Sequence, residues 1–196
     1  VISGDGIDED EVLIALCRRG CAASYQQLYE KYSGKVYGFA RRFLRDDQHA
    51  EDVTQEVFLR VFRKLESFRG ESRFSTWLFR VTLNSCKNKR RSLDRDQRFD
   101  PERFRDGRCG GLEGPEQALE NRWLGGRIDA ALSLLTRGQR TLILLKAVDE
   151  LSYREMGDLL GESENQVRGK LYRARKAFRV ALDTVGSPEG EEVLAC

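Results

Sequence analysis

The sequence holds a single histidine, His49, and none of its five cysteines (Cys17, Cys21, Cys86, Cys109 and Cys196) pairs with another in a CxxC motif. With so few ligands at such spacings, a zinc site has nothing to be built from. No apolar run approaches the roughly 18 residues needed to cross a bilayer, so direct membrane insertion is not expected. An odd cysteine count, with no leader peptide to read, points to the reducing cytoplasm. Cys17 and Cys21 stand at i, i+4 and read as helix packing. Internal repeats and the apolar–polar alternation of strands are missing too. Neither sign of charge dominates: Lys plus Arg number 34 against 32 Asp plus Glu, and a net charge of +2 does not by itself imply nucleic acid.

What is present is helical. Apolar residues make up 40% of the 196 and charged residues 34%, the composition of a globular chain with a highly charged surface. Helical spacing dominates residues 10–92, with helices expected at 11–19, 23–44, 46–66 and 76–91. The second carries a broad apolar stripe (Tyr25, Leu28, Tyr29, Tyr32, Val36, Tyr37, Phe39, Ala40 and Phe43), and Asp46 or Asp47 can cap the third. Residues 93–117 are Gly-rich and of mixed charge, a composition that buries too little apolar area to offset chain entropy, and read as a flexible linker. Helical character returns over 118–183, and residues 184–196 read as a disordered tail. The expected fold is all-α: two small helical domains joined by a linker.

In the second domain, Thr136 with Gln139, Ser152 with Glu155 and Ser163 with Gln166 each fit a capping box, in which two side chains satisfy each other's orphan backbone donors. The last two bracket a short helix ended by Gly161, the outline of a helix-turn-helix. Between Asn165 and Leu182 there is no acidic residue. At 100° per residue, Val167, Leu171, Ala174 and Phe178 share one face, while Asn165, Gly169, Tyr172, Arg173 and Lys176, flanked by Arg168 and Arg175, share the opposite one. Arginines can pair with guanine edges and a glycine permits close backbone approach, so this face is suited to the DNA major groove. The bland reading is a solvated cationic helix; the caps and the apolar face together favour the groove.

In the first domain, the third helix turns Asp52, Gln55, Glu56, Leu59 and Arg63 away from the core, with Phe62 at the border. Exposed apolars beside carboxylates describe a protein-docking surface. A metal held by Glu51, Asp52 and Glu56 would need a histidine or a further carboxylate that the sequence does not supply. On the fourth helix, Arg80, Asn84, Lys87 and Arg91 form a stripe offering three cations for phosphates and one amide for a base edge. The preceding loop sets Phe68, Arg73 and Phe74 beside it, and aromatics among cations are the material of single-strand binding. Core filling is the competing role for Phe68 and Phe74 and the expected one for Trp77.

Two DNA-facing modules on one short chain bring the sequence close to a known family. SYQQLYEKYSGKVYGFARRFL, DDQHAEDVTQEVFLRVFRKLESFRGES and FSTWLFRVTLNSCKNKRR resemble region 2 of the bacterial extracytoplasmic-function (group 4) sigma factors, and LSYREMGDLLGESENQVRGKLYRARKAFR resembles their region 4. The resemblance implies an alternative sigma factor that catalyses nothing itself, takes no cofactor, and binds core RNA polymerase and promoter DNA. It implies docking of Asp52, Gln55 and Glu56 on the β′ clamp coiled coil, a region 4 contact with the β flap, and a linker threading toward the active-site channel. It implies minus-10 melting by Phe68, the Glu71–Phe74 loop, Asn84 and Lys87, and minus-35 reading by Arg168, Gly169, Tyr172 and Arg173. It also implies an anti-sigma partner that could hold the protein at the membrane. Thr136 stands where the family often has proline, and Asn165 and Gly169 replace commoner Gly and Ser, so promoter preference does not transfer.

Two other classes of protein share parts of this pattern. A two-domain operator-binding regulator would need a dimer interface or ligand pocket in the first half. A metal-dependent nuclease would need carboxylates clustered beside the basic stripe. The sequence offers neither.

Overall fold

The computed structural model describes residues 9–99, 117–147 and 151–185, and all regular structure among them is helical. The chain divides into two compact units, residues 1–107 and 108–196.

The first unit is built from α1 (Glu9–Arg18), α2 (Ala22–Leu44), α3 (Asp47–Lys64), a 3-10 turn (Leu65–Ser67) and α4 (Phe74–Phe99). α1 stops at Gly20, which takes φ +82°; its N–H donates to Cys17 O at 2.8 Å and the Cys21 N–H to Leu16 O at 3.2 Å, satisfying carbonyls the helix leaves open. α2 buries Leu28, Tyr32, Val36, Phe39, Ala40 and Phe43 of its stripe, whereas Tyr29 is exposed and Tyr25 and Tyr37, at the edges of the buried face, are half-buried. The turn into α3 uses Arg45 at φ 64°, and Asp46 then caps α3 by accepting from the His49 N–H at 2.6 Å. α3 presses Ala50, Val53, Val57, Phe58 and Val61 onto its neighbours, and α4 closes the core with Leu78, Phe79 and Leu83. The Phe79 ring meets Phe39 edge-on at 5.8 Å. Each such side chain contributes about 1.5–3 kcal/mol by leaving water.

α1 is held on α2 by polar as well as apolar contacts. The buried Asp10 carboxylate accepts hydrogen bonds from the Tyr32 hydroxyl and from Lys31 Nζ, the latter at 2.8 Å. Burial works against the Lys31 charge, but hydrogen bonds to Asp10 and Glu9 and their negative charges raise its pKa above the ordinary lysine value.

The largest difference from the sequence reading is at the end of α4. α4 does not end near Arg91 but continues to Phe99, taking up the first part of the expected linker. Leu93 is 8% exposed, and Arg90 Nε meets Asp94 Oδ1 at 3.0 Å one turn on, so an apolar anchor and an i, i+4 pair carry the helix forward. Gln117, expected in the linker, and residues 184–185, expected in the tail, are also helical, while residues 100–116 and 186–196 lie outside the described residues.

The second unit comprises α5 (Gln117–Ser133), α6 (Arg137–Ala147), α7 (Tyr153–Leu160) and α8 (Glu164–Val185). α8 is its spine, since α5, α6 and α7 all pack on it. Val167, Leu171, Ala174 and Ala181 of α8 meet Leu132, Leu142, Leu145, Leu151 and Met156 in the core. Phe178, expected on the buried face, is half-buried. All three capping boxes form: the N–H groups of Thr136, Ser152 and Ser163 donate to Gln139, Glu155 and Gln166 at 3.0, 2.8 and 2.9 Å. The return bonds, from the N–H groups of those partners to the three hydroxyls, measure 3.4, 3.2 and 3.3 Å.

Candidate nucleic-acid and polymerase interfaces

The turn between α7 and α8 is tight for a reason visible in two glycines. Gly161 takes φ +71° and its N–H donates back to Gly157 O, as a left-handed stop requires. Gly157 is buried, and a Cβ placed on it would stand 2.5 Å from the Glu162 carbonyl oxygen. No other residue fits there without moving backbone, so the angle between the two helices depends on this atom's absence.

That geometry leaves the outward face of α8 exposed, with Asn165, Arg168, Gly169, Lys170, Tyr172, Arg173, Arg175 and Lys176 all on the surface. Tyr172 is 72% exposed, far more than a tyrosine with a place in the core. A Cβ on Gly169 would meet nothing, so the gap it leaves faces outward. Arg173 Nε donates to Gly169 O at 3.3 Å, whereas Arg168 is engaged by Glu164 at 2.6 Å and lies 4.9 Å from the Tyr153 ring centroid. Lys146 lies 5.3 Å from the same ring. Lys170 pairs with Glu162 at 2.6 Å. The cations on this face thus differ: Arg168 and Lys170 are drawn toward carboxylates of the turn, while Arg173, Arg175 and Lys176 face solvent.

In the first unit, Arg80, Asn84 and Arg91 are exposed and Lys87 half-buried along one side of α4. Among the described residues no carboxylate pairs with Arg80, Lys87 or Arg91, so the stripe keeps its positive charge. The loop of residues 68–73 runs before it, with Arg69, Gly70, Glu71 and Arg73 exposed.

Phe68 and Phe74 are not the stacking surfaces expected of them. They are 8% and 3% exposed, their rings 6.0 Å apart edge-on, and each packs on Trp77 at 5.2 and 5.9 Å. Phe68 follows directly on the 3-10 turn, and its ring is packed against the first turn of α4. Trp77, expected in the core, is instead half-buried.

On α3, Asp52, Gln55, Glu56 and Arg63 are exposed, and Leu59 is 58% exposed, lining with Glu56 and Arg63 a shallow depression of about 280 Å³. Phe62 departs from expectation: it is half-buried, its ring edge-on to Tyr25 at 4.9 Å. Asp52 is bonded to Lys89 of α4 at 3.0 Å, a link that sequence spacing could not reveal, and Glu56 pairs with Arg60. Among the described residues no cluster of His, Cys, Asp or Glu could hold a metal ion, and no helix is long and apolar enough to cross a membrane.

Comparison with known proteins gives these surfaces a common context. Residues 28–96 match the family described as Sigma-70 region 2, and residues 125–178 match Sigma-70, region 4. The RNA polymerase sigma-H factor of Pseudomonas aeruginosa is 32% identical over 182 residues, 89% of this chain and 94% of that protein. The ECF RNA polymerase sigma factor SigW of Bacillus subtilis is 30% identical over 84% of this chain and 92% of its own length. The ECF RNA polymerase sigma-E factor of Escherichia coli K12 is 31% identical over 86% and 92%. Among solved structures, CnrH in complex with the cytosolic domain of CnrY aligns at TM-score 0.67 and 27% identity, covering 90% of this chain and 99% of that one. Bartonella quintana RpoE, in complex with the anti-sigma factor NepR, shares the fold at TM-score 0.67 and 21% identity, over 81% and 96%. Two helical units carrying regions 2 and 4 in order, and relatives matched over most of their length, place the chain among the ECF sigma factors, alternative sigma factors that direct promoter-specific transcription initiation.

Proposed function

We propose a division of labour among the three surfaces. α8 reads the minus-35 element in the major groove: Arg173, Tyr172 and Asn165 contact base edges, Gly169 admits the DNA backbone, and Arg168, Arg175 and Lys176 hold phosphates. α4 and the loop of residues 68–73 melt the minus-10 element. In that step Asn84 reads an unpaired base, Arg73, Arg80, Lys87 and Arg91 neutralise the strand, and Phe68 and Phe74 brace the loop from beneath. α3 docks on the β′ clamp coiled coil of core polymerase through Asp52, Gln55, Glu56, Leu59 and Arg63, with Phe62 behind them, and region 4 meets the β flap.

The observation that carries this reading is the pairing, in one chain of this family, of two exposed cationic helix faces: among the described residues no carboxylate pairs with Arg173, Arg175 or Lys176 on α8, or with Arg80 or Arg91 on α4. The subgroup is group 4. The protein works in the bacterial cytoplasm without catalysis of its own, and an anti-sigma factor holds it inactive, in some settings at the membrane. That partner accords with CnrH, which was captured in complex with the cytosolic domain of CnrY.

Transcription reconstituted from the purified chain and core polymerase tests the whole. Opening DNA costs on the order of a kcal/mol or more per base-pair step. Asn84→Ala with Lys87→Ala should therefore impair open-complex formation on duplex promoters and recover in part on templates with a pre-melted minus-10 bubble. Wild-type permanganate reactivity on the duplex would show that α4 is structural only.

A further inference from the structure

The loop of residues 68–73 is fixed from an unexpected direction. Arg18, the last residue of α1, reaches the 3-10 turn 47 and 50 positions away: its Nε donates to Leu65 O at 3.4 Å and its Nη2 donates to Phe68 O. These two carbonyls mark the two ends of that turn, whose closing bond runs from the Phe68 N–H to Leu65 O at 3.2 Å. A single guanidinium thus joins the place where α3 ends to the place where the loop departs. A planar fork with several N–H donors suits two carbonyls at once; an ammonium is a shorter, single point.

Beyond Phe68 the loop exposes Arg69, Gly70, Glu71 and Arg73 to solvent. Arg69 and Glu71 approach each other only to 3.9 Å, with side chains about four-fifths exposed, and Gly70 takes φ +72°. Between the loop and α1 lies a cavity of about 520 Å³, lined by Asp10, Ile14 and Arg18 on one side and by Phe68, Arg73 and Phe74 on the other. α1 is therefore a wall of the space the loop encloses, and Arg18 is where wall and loop are bonded.

We infer that Arg18 is a positioning residue for promoter melting: its two hydrogen bonds fix the start of the 68–73 loop relative to the cationic stripe of α4, so that loop and stripe hold one unpaired strand together. The inference rests on the melting role proposed above for that loop and stripe. Arg18 itself is exposed, so its removal leaves no hole in the core.

The test uses the full chain assembled with core polymerase, in three variants: Arg18→Ala, Arg18→Lys, and Asn84→Ala with Lys87→Ala. Three quantities are measured: amide hydrogen exchange over residues 66–73, permanganate reactivity of a duplex promoter, and affinity for a single-stranded oligonucleotide bearing the non-template minus-10 sequence. Losing hydrogen bonds from a charged donor predicts about tenfold weaker oligonucleotide binding by Arg18→Ala. Faster loop exchange should accompany it, with Arg18→Lys intermediate and minus-35 binding unchanged. A helix that merely lost stability would not selectively affect minus-10 strand binding below its melting temperature, and Arg18→Lys keeps the charge should the alanine variant fold poorly. Faster loop exchange with wild-type oligonucleotide binding, or unchanged exchange, overturns the inference. If only the Asn84 and Lys87 pair impairs melting, the role of Arg18 falls and that of α4 stands; if only Arg18→Ala impairs it, the melting role of the stripe falls, and the inference that rests on it falls with it.

Discussion

Lys89 Nζ lies 3.0 Å from Asp52 Oδ2, joining the outward face of α3 to α4 across 37 positions of sequence. The pair is largely solvated, with the Asp52 side chain 57% exposed, so it contributes only about 0–1 kcal/mol to stability. Its significance is placement: a residue proposed to touch polymerase is bonded to the helix proposed to hold the melted strand.

Asp52→Arg, combined with Gln55→Ala, should accordingly leave the thermal unfolding midpoint nearly unchanged while weakening core-polymerase binding at least about fivefold, the scale of an interface residue worth more than 1 kcal/mol. Co-purification of the double mutant with core polymerase at wild-type levels would remove α3 from the interface.

Two glycines of the second unit should respond in opposite ways to the same methyl group. Gly157→Ala drives a Cβ against the Glu162 carbonyl and should destabilise the unit by about 1–3 kcal/mol. Gly169→Ala meets open space in mid-helix and should stabilise it by roughly 0.5–1 kcal/mol, yet weaken promoter binding where DNA needs that space. Chemical denaturation together with minus-35 binding separates the two effects; a Gly169→Ala protein that binds as well as wild type would mean that DNA does not approach there.

Arg173 and Arg179 should separate specificity from charge. Arg173→Ala should cost roughly 1–3 kcal/mol at particular minus-35 base pairs and relax preference there. Arg179→Ala, also exposed but two turns further along, should weaken binding evenly across sequences and shallow its salt dependence. Equal losses on every minus-35 variant would make Arg173 a phosphate contact.

The thiols should report burial through their chemistry, because the thiolate is the reactive form. Cys21 is half-exposed, and hydrogen bonds from the Ser24 side chain and backbone lower its pKa. Cys17 is pushed up by burial and by neighbouring Cys21, and burial drives Cys86 to about 12. In a Cys109→Ser, Cys196→Ser background, iodoacetamide near pH 8 should modify Cys21 first and reach Cys86 only on unfolding. Mass spectrometry showing Cys86 labelled in the native protein at the rate of Cys21 would contradict the packing of α4.

The features legible in the sequence were those written within one or two helical turns. The capping boxes, the Gly161 stop, the apolar stripe of α2 and the outward face of α8 all depend on residues three to eight apart, and the structure forms each of them. The extension of α4 to Phe99 could also have been read, since no glycine or proline interrupts residues 92–99; polar composition obscured it. What could not be read were meetings set by the packing of distant helices. Phe68 and Phe74 looked available beside a cationic stripe until the 3-10 turn placed them on each other and on Trp77. Phe62 looked exposed until Tyr25 arrived from α2. Neither Arg18 nor Lys89 has any local pattern to betray its partner.

The boxed start of α8 also sets an angular phase. Successive residues of a helix are turned by about 100° and advanced by about 1.5 Å. Ser163 and Gln166 bond reciprocally, and Gly161 stops the helix before them, so α8 can begin in only one place. Were it to start one residue later, Val167 would still be drawn inward by its neighbours, and the helix could satisfy that demand only by unwinding. Inserting a single residue between Gly161 and Ser163 would thus lengthen the turn while Tyr172 and Arg173 kept their bearing. The same insertion between Gln166 and Arg173 would swing the residues after it by more than a quarter turn relative to those before it, splitting the outward face while every cation is still present.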